Sequence, residues 1–212
     1  MSNLYLKQLE VGPMQNFIYL IGDRTKRECV IVDPAWDVPG VLQEAEKDGM
    51  KVVAALLTHY HYDHVNGLED FLKKVKGKAY CQKEELPYLK SWRSELTAVE
   101  SGEKLTVGDI EITFLHTPGH TPGSQCFLLE NKLVSGDTLF IRACGRCDLP
   151  DGNAEQLYHS LKRLSELDEN TILYPGHNYE PEPTSTIGQE KRLNPYLQTS
   201  TLQDFLKFRT GV

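Results

Sequence analysis

The sequence predicts a mixed domain in which two β-sheets pack face to face and helices cover their outer surfaces. Segments with strand patterning fall into two groups along the 212 residues, and each group is followed by helical patterning. Sheets and helices each bury one apolar face, and layered packing satisfies both. Local patterning alone is compatible with α+β or α/β. Because no repeat or linker interrupts the chain, we expect one domain over residues 1–212, with a short helical tail from about residue 186.

Composition limits the classes of partner. Hydrophobic residues make up 40% and charged residues 25% of the chain, which is typical of a soluble globular protein. A net charge of -7 argues against general nucleic-acid binding. No apolar run reaches the length of a membrane span, and the N-terminus lacks the pattern of a signal peptide. Five cysteines without framework spacing suit a reducing compartment, so we expect a cytoplasmic protein. A homo-oligomer is left open.

Turn residues mark the first group of elements. Two strands meet at Gly12-Pro13, and a third ends before Asp33-Pro34. Asp37 can cap a helix that closes at Asp48-Gly49. The predicted elements are strands at 4–11, 17–21, 28–32 and 51–57, and a helix that runs from the cap to about residue 47.

The second group continues the alternation of strands and helices. Residues 83–96 are mixed and helical in part, and Gly108-Asp109 is a hairpin turn. The predicted strands are 79–82, 104–107, 110–115, 125–129, 133–135 and 171–174. The predicted helices are 66–76 and 154–167, followed by a tail over 186–208 in two pieces, broken near Asn194-Pro195.

The stretch directly after the buried strand 51–57 has the strongest chemical signal. His59, His61 and His64 lie within six residues and are joined by Asp63. Imidazoles and a carboxylate together suit a divalent ion such as zinc, iron or manganese. If the strand ends at Thr58, then His59 and His61 can turn toward one point while Asp63 and His64 face another. A polar loop rich in histidine is the alternative, which we favour for a single HxH but not for HxHxDH.

Three further candidate ligands follow strand ends beside glycines. His120 lies between two Pro-Gly turns, Asp137 follows a short apolar strand, and His177 follows Pro175-Gly176. Glycine and proline fix these turns and allow close approach of the backbone. Each of the three alone is more typical of a turn than of a metal site.

Taken together, these residues resemble the signature of the metallo-β-lactamase superfamily, which is HxHxDH, His, Asp and His in this order. The resemblance implies an αββα sandwich of the α+β class and two divalent metal ions, with zinc expected and iron or manganese as alternatives. It assigns His59, His61 and His120 to one metal, assigns Asp63, His64 and His177 to the other, and makes Asp137 the bridge.

The remaining histidines and a Cys-x-x-Cys pair are weaker candidates. His116 shares the loop of His120 and would have to displace a family ligand, and we expect His159 to be structural or exposed. Redox pairs belong at a helix start, whereas Cys144 and Cys147 lie in the loop after Asp137. We therefore interpret the spacing of this pair as coincidental.

Two branches of the superfamily share features with this chain. Residues 135–140 and Tyr62 resemble glyoxalase II, which hydrolyses S-acylglutathione thioesters. Residues 141–146 and 157–160 resemble persulfide dioxygenases, which are iron enzymes that oxidise glutathione persulfide to sulfite. Only 35 residues follow His177, too few for the helical domain that helps full-length glyoxalase II bind glutathione.

The resemblance implies hydrolysis of a thioester, most closely that of an S-acylglutathione, by a hydroxide held between the metals. Asp63 would orient this nucleophile, and Arg146 and Tyr179 would contact a glutathione conjugate. The alternative for Arg146 is a surface charge. In the dioxygenase alternative, His59, His120 and Asp137 hold one Fe(II). A non-catalytic scaffold is disfavoured because all seven ligand positions are filled, and a β-lactamase is disfavoured because no secretion signal is seen.

Overall fold

The first sheet forms one inner layer of the protein. In the computed structural model, which describes residues 3–211, six strands pair in sequence order. The first two pairings are antiparallel and the other three are parallel, because helices and longer crossovers connect the later strands. These strands are β1 (Leu4–Val11), β2 (Asn16–Asp23), β3 (Glu28–Val32), β4 (Lys51–Leu56), β5 (Lys78–Gln82) and β6 (Leu96–Val99).

The second sheet has six strands in the order β14-β13-β10-β9-β8-β7, and a two-stranded hairpin of β11 and β12 lies outside it. Only the pairing of β10 with β13 is parallel. The strands are β7 (Lys104–Val107), β8 (Ile110–His116), β9 (Gln125–Leu129), β10 (Lys132–Gly136), β11 (Leu139–Phe140), β12 (Ala143–Cys144), β13 (Ile172–Pro175) and β14 (Ser185–Thr186).

Helices cover the outer face of each sheet. Asp37 caps the first helix as predicted, with its side chain accepting from the Gly40 amide. The helices are α1 (Val38–Lys47), α2 (Tyr62–Val65), α3 (Leu68–Lys74), α4 (Ala154–Ser165), α5 (Ile187–Leu193) and α6 (Leu202–Thr210). Two single 3₁₀ turns, Lys83–Glu85 and Lys90–Trp92, occupy the segment that we expected to be partly helical.

Three apolar clusters fill the spaces between the four layers. Every residue of β2 is buried because both faces of this strand are covered. Ile18 and Leu20 pack under α1 and α3, whereas Tyr19 and Ile21 pack between the sheets. A third cluster joins the second sheet to α4, α5 and α6. The predicted sandwich of two sheets with helices outside is confirmed.

The predicted helix at 66–76 is observed as α3, Leu68–Lys74, and a break at Asn66-Gly67 separates it from the single turn α2, which was not predicted. Tertiary contacts hold the break open. The Gly67 amide donates to Pro34 O, and Asn66 Oδ1 accepts from the Trp36 amide. A Cβ at Gly67 would collide with the Val38 side chain. Strand β6 and the β11–β12 hairpin were not predicted, since both are short and lack a clear alternation.

The family fold predicted over residues 1–212 includes Met1, Ser2 and Val212, which lie outside the described residues. Within residues 3–211, no helix is both long enough and apolar enough to span a membrane.

Candidate metal centre

The seven side chains predicted to bind metal lie together beside the ends of four strands. They come from the stretch after β4, the loop between β8 and β9, the residue after β10 and the second residue after β13. Because β10 and β13 run parallel, Asp137 and His177 leave the sheet at the same edge. Gly176 makes room for this, since a Cβ there would collide with Asp137 Oδ1.

The ligand atoms form three overlapping groups, in each of which all atoms lie within 4.8 Å of one another. Asp137 lies between the other residues. Its Oδ1 is 3.3 Å from His64 Nε2, and its Oδ2 is 3.3 Å from His177 Nε2 and 3.6 Å from His120 Nε2. The groups are His59–His61–His120, Asp63–His64–His177 and His59–His64–Asp137.

In four of the five histidines, Nδ1 is held by an acceptor on the protein. His120 Nδ1 donates to Arg146 O at 2.6 Å, and His177 Nδ1 donates to Met14 O at 2.9 Å. The other two partners are Thr58 Oγ1 for His59 at 2.9 Å and Asp33 Oδ2 for His64 at 2.8 Å. A proton fixed on Nδ1 leaves a lone pair on Nε2, which is the arrangement that orients imidazoles toward a metal ion.

Two of these Nε2 atoms have no partner that would use the lone pair. Nε2 of His59 and of His120 is buried and makes no hydrogen bond with any residue of the described range 3–211. His64 Nε2 and His177 Nε2 lie 3.2 Å apart, and each is 3.4 Å from Asp63 Oδ2. Imidazole nitrogens and carboxylate oxygens gathered this closely are the ligands that a divalent ion prefers, so the residues present fit a divalent metal ion.

Protonation of the site follows its burial and charge. Burial holds the pKa of His59 well below its usual value and lowers the pKa of His61 to about 4, so both imidazoles are neutral at pH 7. Burial also opposes the charge on His64, but the Asp137 and Asp33 carboxylates outweigh it and raise the pKa of His64. The pocket therefore favours a positive charge beside Asp137 and neutral ligands in the His59–His61–His120 group.

Asp33 is a site residue that the sequence analysis did not identify. It ends β3 with φ of +53° and is 3% exposed. Its carboxylate accepts from the Thr58 amide at 2.7 Å, from Thr58 Oγ1 at 2.6 Å and from His64 Nδ1 at 2.8 Å. Through Thr58 it also orients His59. The sequence pattern of a carboxylate directly after a buried strand identified Asp137, and the same pattern could have identified Asp33.

Asp63 is positioned by a second pair of residues from outside the motif. Asn16 Nδ2 donates to Asp63 Oδ2 at 2.9 Å and to Asp63 O at 3.1 Å. Asn16 Oδ1 in turn accepts from Trp36 Nε1 at 2.8 Å. Both side chains of the pair are thereby fixed, and the Asp63 carboxylate is held toward His64 and His177.

Exposed aromatic residues border the centre. Tyr62 is 73% exposed and meets Trp36 edge to face, and Tyr179 stacks on the His177 ring at 4.8 Å between centroids. Arg146 is exposed, and its guanidinium binds both carboxylate oxygens of Asp148. This contact lowers the pKa of Asp148 to about 2. The two predicted substrate contacts, Arg146 and Tyr179, therefore lie next to the loops of His120 and His177.

The two remaining histidines stand apart from the ligand groups. His116 Nε2 donates to Pro122 O at 2.8 Å, so this side chain braces the loop of His120 from outside. His159 is exposed on α4. Neither belongs to any of the groups of potential metal ligands found among residues 3–211.

Cys144 and Cys147 are both buried and both free thiols. Burial raises the pKa of Cys144 to about 12 and also raises that of Cys147, so both thiols stay protonated at pH 7. Protonated thiols are poor nucleophiles and poor metal ligands. The coincidental interpretation of their spacing stays a prediction.

The Cys144→Ser, Cys147→Ser double variant should bind metal as the wild type does, because neither sulfur belongs to a ligand group. Metal content after purification and thiol counting of native and denatured protein are the measurements. A lower melting temperature is compatible with this prediction, since both sulfurs pack in the third apolar cluster. Loss of stoichiometric metal at unchanged stability would contradict it.

Comparison with known proteins identifies the family. The profile described as "Metallo-beta-lactamase superfamily" matches residues 11–177, a range that includes all seven candidate ligands. The chain belongs to this superfamily. It is accordingly a metal-dependent enzyme of this superfamily, and the His/Asp centre described above is its candidate metal site.

The relatives of this superfamily member include both branches anticipated above. It is 32% identical to the "Probable polyketide biosynthesis zinc-dependent hydrolase PksB" of Bacillus subtilis, over 92% of this chain and 87% of that protein. It is 34% identical to the mitochondrial persulfide dioxygenase of Bos taurus, over 95% and 79%. It is 32% identical to the hydroxyacylglutathione hydrolase of Tolumonas auensis, over 87% and 82%.

A solved structure has the same overall architecture as this chain. The crystal structure of ETHE1 from Myxococcus xanthus superimposes with a TM-score of 0.87 at 30% identity. The alignment covers 97% of this chain and 90% of that one. Nearly all of the architecture described above is therefore shared with a superfamily member.

Proposed function

We propose that this enzyme is a thioester hydrolase that cleaves S-acylglutathione-type substrates at a centre of two divalent metal ions. The observation that carries the proposal is the geometry of Asp137, whose two carboxylate oxygens face both ligand groups. A hydrolase with two metals uses all seven residues, whereas a mononuclear site uses three. Identity to a zinc-dependent hydrolase and to a hydroxyacylglutathione hydrolase supports the same reaction class.

The proposed ligands follow the two groups. His59, His61 and His120 hold one ion, Asp63, His64 and His177 hold the other, and Asp137 contacts both. Zinc is the expected metal because imidazole and carboxylate ligands suit it, and iron or manganese are the alternatives. When bound, two such ions activate water at neutral pH and polarise a carbonyl oxygen.

The protein's own residues supply orientation and charge. Asp63 Oδ2, fixed by Asn16, accepts a hydrogen bond from the attacking water and directs its lone pair at the thioester carbon. The thiol leaves as a thiolate near pH 7, so the reaction requires no general acid. Tyr62 and Tyr179 border the mouth of the site, and Tyr179, stacked on the His177 ring, contacts the substrate on that side.

Arg146 is proposed to bind a carboxylate of the glutathione-type portion. It lies beside the loop of His120, and its partner Asp148 is itself exposed, so a substrate carboxylate can replace it. The bidentate contact with Asp148 meanwhile keeps the guanidinium near the site.

Arg146→Ala should raise KM more than it lowers kcat, because a carboxylate contact far from the reacting atoms stabilises ground and transition states alike. Steady-state kinetics with S-lactoylglutathione is the measurement. Asp148→Asn is the matched control and should leave KM unchanged or lower it, because it frees Arg146 from competition. A fall in kcat with unchanged KM for Arg146→Ala would contradict the assignment.

A persulfide dioxygenase is the second candidate function. The observation that favours it is the 34% identity to the Bos taurus enzyme, together with the resemblance of residues 141–146 to that branch. In this alternative His59, His120 and Asp137 hold one Fe(II) as a face of two histidines and one carboxylate.

Elemental analysis combined with two activity assays tests the proposal. The hydrolase predicts about two metals per chain, as expected for a two-metal site, and cleavage of S-lactoylglutathione without oxygen uptake. The dioxygenase predicts about one iron per chain and oxygen uptake that depends on glutathione persulfide. Oxygen consumption with persulfide and intact thioesters would replace the hydrolase by the dioxygenase.

A further inference from the structure

Glu85 is a buried carboxylic acid that the proposed reaction does not use. It ends the 3₁₀ turn after β5 and is 0% exposed. No lysine, arginine or histidine of residues 3–211 forms an ion pair with it at 4 Å or less. Burial raises the pKa of Glu85 to about 7. Burying an acid without a cation costs free energy that an apolar side chain would avoid, so the position calls for an explanation.

The Glu85 carboxyl is joined to the loop that carries His120. Its Oε1 accepts from Thr121 Oγ1 at 2.7 Å and from the Gly123 amide at 2.7 Å. Gly123 has no side chain where Glu85 approaches, and a Cβ there would press on Glu85 Cγ. The contact with Glu85 therefore restricts movement of the His120 loop at Gly123.

The same hydroxyl closes the loop on itself. Because Thr121 Oγ1 donates to Glu85, it accepts from Ser124 Oγ at 2.7 Å. Ser124 Oγ in turn accepts from the Thr121 amide at 3.0 Å. The direction of each hydrogen bond in this ring is thus set by the acceptor that Glu85 provides, one residue after His120.

The segment around Glu85 also contacts the loop of the first motif. Tyr88 stacks on Tyr60 at 4.3 Å between ring centroids, and Tyr60 lies between His59 and His61. The Tyr88 amide donates to Glu85 O at 2.9 Å, which joins this stacked ring to the turn of Glu85, while Glu85 Oε2 makes no hydrogen bond with any residue of the range 3–211. The turn of Glu85 therefore touches both loops that supply the first ligand group.

We infer that Glu85 is a positioning residue for the His59–His61–His120 group: it fixes the spacing between the two loops that must present three Nε2 atoms to one ion. The inference rests on the proposed metal centre. Glu85 touches neither metal ligands nor substrate, and it acts through Thr121, Gly123 and the Tyr60–Tyr88 contact.

The test is a titration of metal-free protein with Co²⁺, in which visible absorbance reports ligand geometry and affinity without any substrate. Glu85→Ala should weaken Co²⁺ binding by the first group about 10–100-fold and change its absorbance, while binding by the second group stays near wild type. Glu85→Gln keeps an oxygen that can accept both hydrogen bonds and should restore most of the affinity. Thr121→Val keeps the side-chain volume but removes the hydroxyl that donates to Glu85, and it should weaken the same group.

Asp23→Ala is the matched control. Asp23 is an equally buried acid that joins two turns, accepting from the Thr25, Lys26 and Asp109 amides, but it contacts none of the ligand loops. This variant should lose stability yet bind Co²⁺ as the wild type does. If Glu85→Ala and Thr121→Val bind Co²⁺ with wild-type affinity, or if Glu85→Gln does not restore the affinity, the inference is overturned while the proposed metal centre stands. A wild type that binds fewer than two Co²⁺ ions overturns the proposed centre as well.

Discussion

Asp137→Ala should abolish activity and lower the metal content of both ligand groups. The carboxylate offers one oxygen toward His64 and the other toward His120 and His177, so its removal leaves five imidazoles with one carboxylate, Asp63, beside them. Loss of an outer hydrogen-bond partner costs about 10–100-fold in metal affinity, and loss of a shared ligand should cost more. Elemental analysis of the purified variant is the measurement.

His116→Ala is the control for this change, because His116 ends β8 next to the loop of His120 and its ring donates to Pro122 O, away from the ligand groups. It should leave the metal content unchanged. A full metal complement in Asp137→Ala would exclude Asp137 as the shared ligand, whatever the effect on activity.

Asp33→Asn should have the second largest effect. Asparagine keeps the shape and tolerates the left-handed backbone of this position. However, its amide NH₂ would face Thr58 Oγ1 and His64 Nδ1, two donors from which the Asp33 carboxylate now accepts hydrogen bonds. We expect metal affinity to fall about 10–100-fold and the free energy of unfolding to fall by about 1–3 kcal/mol, because these buried donors lose their acceptor.

Metal titration and denaturant unfolding of the metal-free protein separate these two effects. Asp23→Asn, at an acid buried equally deeply, should show the stability loss alone. If Asp33→Asn loses stability but binds metal with wild-type affinity, Asp33 supports the fold and not the orientation of His64.

Much of the fold was predictable because it depends on local sequence patterns. The cap at Asp37, the hairpin turn at Gly108-Asp109 and the strand β9 each depend on a few neighbouring residues. The break between α2 and α3 was not predictable, since it depends on Pro34 and Trp36, about 30 residues earlier in the chain.

The candidate site divides in the same way. The order of the seven proposed ligands is visible in the sequence because each follows a strand end or lies in a glycine-flanked turn. Asn16 and Glu85 lack such a motif, and Asp33 follows a strand end without belonging to the ligand pattern. The contacts of all three join segments that are far apart in sequence. Only the folded chain brings these supporting residues to the ligands.

The turn between β1 and β2 holds His177, which lies more than 160 residues later in the chain. Besides accepting from His177 Nδ1 through Met14 O, this turn pairs with the backbone on both sides of the histidine: the Phe17 amide donates to Gly176 O, and the Asn178 amide donates to Gln15 O. These contacts constrain when the second ligand group can form during folding. Since closure of so long a loop must precede these contacts, the second ligand group comes into existence only when the first and last thirds of the chain have docked. An ion bound by this proposed group would therefore stabilise a junction between the two ends of the chain, which a nascent or partly unfolded chain lacks.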